Sequence, residues 1–181
     1  MDASRETITA DGWTLSVSKT GESVERRPGL SQSPVSRAGV VTFKAAAVIS
    51  GAGSRPVGSG SIRVGYQVGC AIDVFSGITL GLTTSGPTVG LTVAPVPGVT
   101  LGGQATVTPS ISTTLVPGTV STVMFGNKPL IGQDGSISFD QSEVNVDACV
   151  GPVTIRSFAT ATLSTRTADH SVIVYGDPVQ L

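Results

Sequence analysis

Charge and aromatic side chains are scarce in this sequence. Charged residues make up 13 % and aromatic residues 4 % of its 181 residues, and the formal net charge is −1. Because it has neither a basic run nor an acidic tail, the sequence gives no support to a nucleic-acid partner or to electrostatic docking on a membrane. No run reaches the roughly 18 apolar residues of a transmembrane helix, and no signal-peptide pattern opens the chain. We therefore interpret it as a mature form.

Residues that carry catalysis or bind metals are also scarce. His170 is the only histidine, and with no Cys or Glu cluster near it we interpret it as a surface loop residue. No serine lies in a nucleophile elbow, and Gly58–Ser61 is a flexible turn without the Lys-Ser/Thr of a phosphate-binding loop. Glu143 and Asp147 are interpreted as solvated strand positions. We predict no enzyme, no catalytic residue, no metal and no cofactor.

Cysteine occurs only as Cys70 and Cys149. An even pair permits one disulfide. Two buried free thiols, acting as small hydrophobic side chains, are the alternative. A disulfide between residues so far apart in sequence would contribute on the order of 4 kcal/mol in the chain-entropy description.

The residues that are plentiful favour strands and turns. Gly and Pro number 23 and 11, and Thr, Ser and Val are common. From residue 74 to residue 127 there is no Asp, Glu, Lys, Arg or His. A soluble domain usually covers its surface with charge, and the Val, Leu, Ile and Thr of this stretch are not those of a flexible linker. At least one face of this stretch is therefore expected to be buried in an apolar environment and not exposed to water.

The same stretch alternates with period two. Throughout residues 99–115 the odd positions are almost all apolar or small, and the even positions are hydroxyl, amide or glycine. That is far longer than the typical strand of about 5–6 residues. Residues 77–83 and 88–93 alternate likewise, with a phase slip at Gly86-Pro87 that a bulge would absorb. Residues 94–98 have the composition of a turn.

Residues 74–116 are therefore predicted to form one amphipathic β-hairpin. The alternative to a membrane location is a hairpin packed in a large β-sandwich with its hydroxyl face exposed. At about 3.3 Å per residue its arms reach roughly 50 Å, enough to cross a membrane when tilted. Because open strand edges are not tolerated in lipid, several copies must share one closed barrel. The predicted pore-lining positions are Thr79, Thr83, Thr88, Gly90, Thr92, Thr100, Gln104, Thr106, Thr108, Ser110 and Ser112. The predicted lipid-facing positions are Ile78, Leu80, Leu82, Val89, Leu91, Val99, Leu101, Val107 and Ile111.

The two flanks, residues 1–73 and 117–181, carry all the charges and are predicted to form one soluble β-domain into which the hairpin is inserted. A disulfide between the two cysteines would brace the base of that hairpin. A short helix over Ser36–Ala47 and turns at Gly51–Gly53 and Asp134-Gly135 are also predicted. Alternating runs predict strands at Glu6–Val17, Val40–Ser50, Ser61–Val68, Val144–Cys149, Val153–Leu163 and Ser171–Tyr175.

Short segments spread over the whole chain carry a family resemblance. They are Val64–Gly69, Pro117–Val120 leading to Met124-Phe125, Ile155–Ala159, Val174–Pro178 and, more loosely, Asp11–Leu15. In order and spacing, the chain resembles the MspA-type porins of mycolic-acid-containing bacteria.

This resemblance implies an all-β protein with a soluble β-sandwich rim. The inserted hairpin would give two strands to a 16-stranded transmembrane barrel shared by an octamer. It also implies passive diffusion of small hydrophilic solutes and ions across the cell outer membrane, the mycolate layer. The implied partners are other copies of the chain, or a paralogous subunit in a mixed oligomer, together with outer-membrane lipid.

Two features depart from the best-known members of that family. The region matching their acidic constriction ring, Gly90–Val93, has no carboxylate, so we expect a neutral constriction with weak ion selectivity, lined near the tip by Thr88, Gly90 and Thr92. Those members also lack the cysteine pair. A secreted pore-forming lytic protein and a soluble cell-wall β-sandwich that binds a ligand are the alternative functions.

Overall fold

The computed structural model describes residues 2–28, 33–71, 78–83, 114–115, 120–147 and 149–181, with backbone alone for 78–83 and 114–115. Within these ranges it has eleven strands and no helix, so the predicted all-β class is confirmed. The strands are β1 Ala3–Ile8, β2 Trp13–Arg27, β3 Arg37–Gly51, β4 Val57–Cys70, β5 Ile78–Thr83, β6 Thr114–Leu115, β7 Val120–Pro129, β8 Asp134–Val146, β9 Val153–Thr165, β10 Asp169–Tyr175 and β11 Val179–Gln180.

The strands form two antiparallel sheets. The first has the order β1-β2-β3-β8-β5-β6, and the second has the order β10-β9-β4-β7, with β11 also paired to β9. Consecutive strands β3 and β4 lie in different sheets, so the chain changes layer at the turn after Gly51, where a φ of 96° suits glycine.

The two sheets pack face to face over one core. Period-two alternation places every second side chain of each central strand on the inner face, as the sequence pattern requires. The inner positions of the first sheet include Leu15, Val17, Val41, Phe43, Ala45, Ala47, Ile49, Val144 and Val146; those of the second include Ile62, Val64, Tyr66, Val68, Val123, Ile155, Ala159, Ala161 and Leu163. Four aromatic side chains, Phe43, Tyr66, Phe125 and Phe139, form a closed cycle of contacts with ring centroids 5.2–5.7 Å apart.

Several sequence predictions of secondary structure are wrong. The predicted helix Ser36–Ala47 lies almost wholly within β3, because its alternating apolar residues fit the inner face of a sheet and would be scattered around a helix. The predicted strand Glu6–Val17 is interrupted at residues 9–12, where the Thr9 amide donates to the Trp13 carbonyl at 2.7 Å and Gly12 has a φ of 88°.

Two further corrections concern β7 and β8. Asp134-Gly135 begins β8 instead of forming a turn, and Gly132, with a φ of 88°, lies in the preceding turn. The strand predicted over Val144–Cys149 ends at Val146. The sequence pattern does not predict β7. Its pairing with β4 shifts register opposite Val64 and Gly65, so buried and exposed residues do not alternate regularly along the strand.

Candidate functional site

The inserted segment leaves the second sheet and re-enters it at neighbouring positions. Strand β4 ends at Cys70, and β7 begins at Val120, which is paired with Gly69. The two ends of the insertion are therefore held side by side by strand pairing. This is the geometry that an inserted hairpin requires.

The described parts of the insertion are themselves paired. Strands β5 and β6 are antiparallel, with Ile78 opposite Leu115 and Thr79 opposite Thr114. Strand β5 also lies along β8, where Leu80 is opposite Val146 and Leu82 is opposite Val144. Both valines of β8 are buried in the core. The first strand of the insertion is thus continuous with the first sheet.

For the predicted pore-lining and lipid-facing positions, the structure gives backbone pairing at Ile78, Thr79, Leu80, Leu82 and Thr83. The other positions lie outside the described residues: Thr88, Gly90, Thr92, Thr100, Gln104, Thr106, Thr108, Ser110, Ser112, Val89, Leu91, Val99, Leu101, Val107 and Ile111.

A disulfide joins Cys70 to Cys149 at the base of the insertion. The two Cα atoms are 6.0 Å apart across a sequence separation of 79, and both residues are buried. Cys70 is the last residue of β4. The Cys149 amide donates to the carbonyl of Val35 at 2.9 Å, just before β3. The bond therefore ties the point where the insertion begins to the segment between β8 and β9.

A buried ionic cluster lies between the sheets. Lys19, which is fully buried, forms an ion pair with Glu22 and donates to Ser157 Oγ at 2.9 Å. The Tyr66 hydroxyl donates to Glu22 Oε1 at 3.3 Å. Burial, followed by the charge of Glu22 and this hydrogen bond, raises the pKa of the Tyr66 phenol above its ordinary value. A side chain at position 176 would collide with the side chains of Ser157, Lys19 and Glu22, so glycine suits this position.

The sequence did not predict this cluster, because a strand irregularity creates it. The pairing of β2 with β3 shifts between Thr20 and Ser23, and Gly21 has a φ of 64°. Without that shift, strict alternation would place Lys19 and Glu22 on opposite faces of the sheet. The only signal available was a Gly between two charged residues of an otherwise alternating run.

On the outer face of the second sheet, three of the segments that carry the family resemblance meet at Arg156. Its guanidinium donates to Gln67 Oε1 at 2.5 and 3.1 Å and lies 4.4 Å from the ring centroid of Tyr175. The residues adjacent to these in sequence, Tyr66, Ser157 and Gly176, meet at the buried ionic cluster on the inner face.

The remaining candidate chemistry is sparse. His170 lies in β10, so its prediction as a loop residue is wrong, and its Nε2 is buried with no hydrogen-bond partner among the described residues. Over the same residues, no group of His, Cys, Asp and Glu side chains is placed to hold a metal ion. No helix in the described part of the chain is long and apolar enough to cross a membrane.

The family model MspA matches residues 11–180 of this chain. The match includes every strand except β1, together with the disulfide and the whole insertion. Among curated proteins, none matches the sequence.

Proposed function

Because the chain belongs to the MspA porin family, we propose that it is one subunit of an outer-membrane channel through which small hydrophilic solutes and ions diffuse passively. MspA-family proteins are oligomeric porins of the outer membrane. The observation that carries the proposal is the insertion, which leaves one sheet after β4 and re-enters it at Val120, paired with Gly69, and which lies within the stretch without charge from residue 74 to residue 127.

The insertion divides the proposed subunit into a membrane-spanning stem and a rim outside the membrane. Residues 74–116 form the stem hairpin, and residues 1–73 and 117–181 form the rim. Two strands cannot close a barrel, and lipid does not tolerate open strand edges. Eight copies would supply sixteen strands, within the size range of channels that leave an aqueous lumen. The proposed location is the mycolate layer.

The proposed lumen is lined by hydroxyl, amide and glycine positions and is narrowest near Thr88, Gly90 and Thr92. With no carboxylate at that level, the field inside the pore is weak. We therefore expect little discrimination between cations and anions, from homo-oligomers and from any mixed oligomer whose second subunit is equally neutral.

The deciding experiment is single-channel recording of the detergent-purified protein in a planar lipid bilayer. Long-lived discrete conductance steps are expected, with a reversal potential near zero in a salt gradient. As a control, the variant lacking residues 84–113 should retain the rim fold by circular dichroism and give no steps. Folded full-length protein that never conducts would refute the proposal for the homo-oligomer.

A lytic function is the second candidate, and one observation favours it. Strand β5 is paired with β8 of its own chain, which is where a water-soluble form would store the start of the hairpin. A stable monomer that becomes haemolytic on red cells would support this candidate. A protein that is extracted only as a detergent-solubilised oligomer and lyses no cells would reject it.

A further inference from the structure

The first strand of the insertion continues the outer face of the first sheet. Strand β5 is paired with β8, with Leu82 opposite Val144 and Thr83 opposite Glu143. Val144 is buried in the core, so alternation along β8 places Glu143 on the outer face. Residues directly opposite one another in an antiparallel pair share one face of the sheet. Position 83, which the sequence predicts to line the pore, is therefore on the same face as Glu143.

This outer face has the composition that the sequence predicts for the pore lining. Two adjoining rows across β2, β3 and β8 consist of hydroxyl residues, one small residue and one basic residue: Ser18, Ala46, Ser136, Thr20, Lys44 and Ser138. The outer face of the second sheet differs, because it exposes 41 % of Met124 and 39 % of Tyr175. Of the two outer faces, that of the first sheet is the one suited to line water.

Glu143 is the charged residue of this face that lies beside β5. It is half-buried, and its Oε1 accepts a hydrogen bond from Asn145 Nδ2 at 3.1 Å. Among the residues that the structure describes, no Lys or Arg forms an ion pair with it. On the same face, Arg27 is paired with Glu25, and strand spacings place Lys44 about 14 Å from Glu143. The charge of Glu143 is therefore not neutralised by a described neighbour.

We propose that the outer face of the first sheet continues the lumen wall of the stem into the rim, and that Glu143 concentrates cations there. This inference rests on the proposed function, since it needs a closed oligomer with a lumen. One Glu143 per subunit then forms a ring of carboxylates around the water-filled space. A surface that carries one sign of charge raises the local concentration of the opposite ion. Glu143 is thus the residue that gives an otherwise neutral channel a preference among ions.

Ionic strength separates the effect of this ring from that of the neutral tip. The Debye length is about 3 Å in 1 M salt and about 30 Å in 0.01 M salt. In concentrated salt the carboxylates are screened, so the reversal potential set by the neutral tip stays near zero. In dilute salt their field extends into the lumen. There we expect cation preference, and a conductance that falls less than in proportion to the salt concentration.

The test is single-channel recording of the full-length protein in about 1 M and about 0.01 M potassium chloride. Glu143→Gln keeps an acceptor oxygen for Asn145. In dilute salt it should lower conductance about two-fold and shift the reversal potential towards zero, because a local potential near one kT changes the cation concentration by about that factor. In concentrated salt it should change neither. Asp169→Asn removes an exposed carboxylate from the outer face of the second sheet and should have no effect in either solution. Equal effects of the two variants, or none from Glu143→Gln, would overturn the inference.

Charge added to each face tests the assignment independently of Glu143. The two native cysteines are joined in a disulfide, so one new cysteine supplies a single free thiol. Ser138→Cys places it on the outer face of the first sheet, and Ser171→Cys, at a matched exposed serine, places it on that of the second. A cationic thiol reagent on Ser138→Cys should reduce cation preference in dilute salt, and an anionic reagent should increase it. A response of Ser171→Cys alone would overturn the face assignment.

The same recordings separate this inference from the proposed function. If the wild type conducts but neither Glu143 nor charge added at position 138 affects conductance in dilute salt, the lumen face is refuted and the channel remains. A folded protein that never conducts refutes the channel and this inference together.

Discussion

Removing the Cys70–Cys149 disulfide should lower the stability of the rim by several kilocalories per mole. The bond closes a loop with a sequence separation of 79. In the chain-entropy description this loop reduces the entropy of the unfolded chain by about 15 cal/mol/K, equivalent to about 4.5 kcal/mol at 25 °C. A domain of this kind is stable by about 5–15 kcal/mol in total, so the loss is a large fraction.

The perturbation is Cys70→Ala/Cys149→Ala, chosen because both sulfur atoms are buried and serine would introduce hydroxyl groups that need partners. Urea unfolding is followed by the fluorescence of Trp13, the only tryptophan, at fixed protein and detergent concentration, since assembly contributes to apparent stability. With an m-value of about 2 kcal/mol/M, the midpoint should fall by roughly 2 M. Chemical reduction of the wild type should lower it similarly, and the reductant should not affect the double variant.

Two results would refute this reasoning. Mass analysis of the native protein that found two free thiols would remove its premise. A midpoint shift equivalent to less than about 1 kcal/mol, with the disulfide verified in the wild type, would show that the unfolded chain is already restricted without the bond.

The other predictions concern the buried ionic cluster and the tip of the hairpin. Lys19→Met should destabilise the rim by about 3–5 kcal/mol because it leaves the Glu22 carboxylate buried without its partner, and Lys19→Met/Glu22→Gln should recover most of that loss in urea unfolding; a double variant no more stable than the single would contradict this. Because the pKa of Tyr66 is raised in the folded protein, the unfolded chain binds fewer protons above pH 10, so the unfolding free energy should fall there by about 1.4 kcal/mol per pH unit relative to Tyr66→Phe. Identical pH dependence in the two proteins would reject that linkage. Thr92→Asp should shift the reversal potential in a salt gradient towards cation preference, because repeated carboxylates in a narrow pore focus the field; unchanged selectivity would mean that Thr92 faces lipid or lies away from the constriction.

Strict alternation is what made the central strands predictable. Residues 40–50, 61–68 and 153–163 lie in β3, β4 and β9 because every second residue is apolar and can fill the inner face. Alternation fails as a guide where a bulge changes the phase. The register shift after Thr20 puts Lys19 and Glu22 on the same side, so two charged residues that the pattern assigns to opposite faces form a buried pair.

The cysteine pairing was undetermined for a different reason. Sequence spacing alone does not bring Cys70 near Cys149, and two thiols in a small-residue core are physically reasonable. The contact depends on where β4 ends, on Val153 pairing with Cys70 and on the Cys149 amide bonding to Val35. Each of these is long-range, and strand pairing over such separations is not encoded in any local pattern.

The short segments that carry the family resemblance and the proposed pore-lining positions lie in different parts of the sequence. Arg156 joins Gln67 to Tyr175 on one face of the second sheet, while Ser157 and Tyr66 bind the ionic cluster on the other, so these segments make contacts on both faces. Strand β4, which carries Tyr66 and Gln67, runs on to Cys70, where the insertion starts. The segments that resemble other porins therefore set where the hairpin emerges. If the proposed channel forms, substitutions at its pore-lining positions would not move the register, since alternate residues of a strand face opposite sides. On this account a neutral tip is compatible with a rim held by these contacts, and ion selectivity can differ between porins that share one rim.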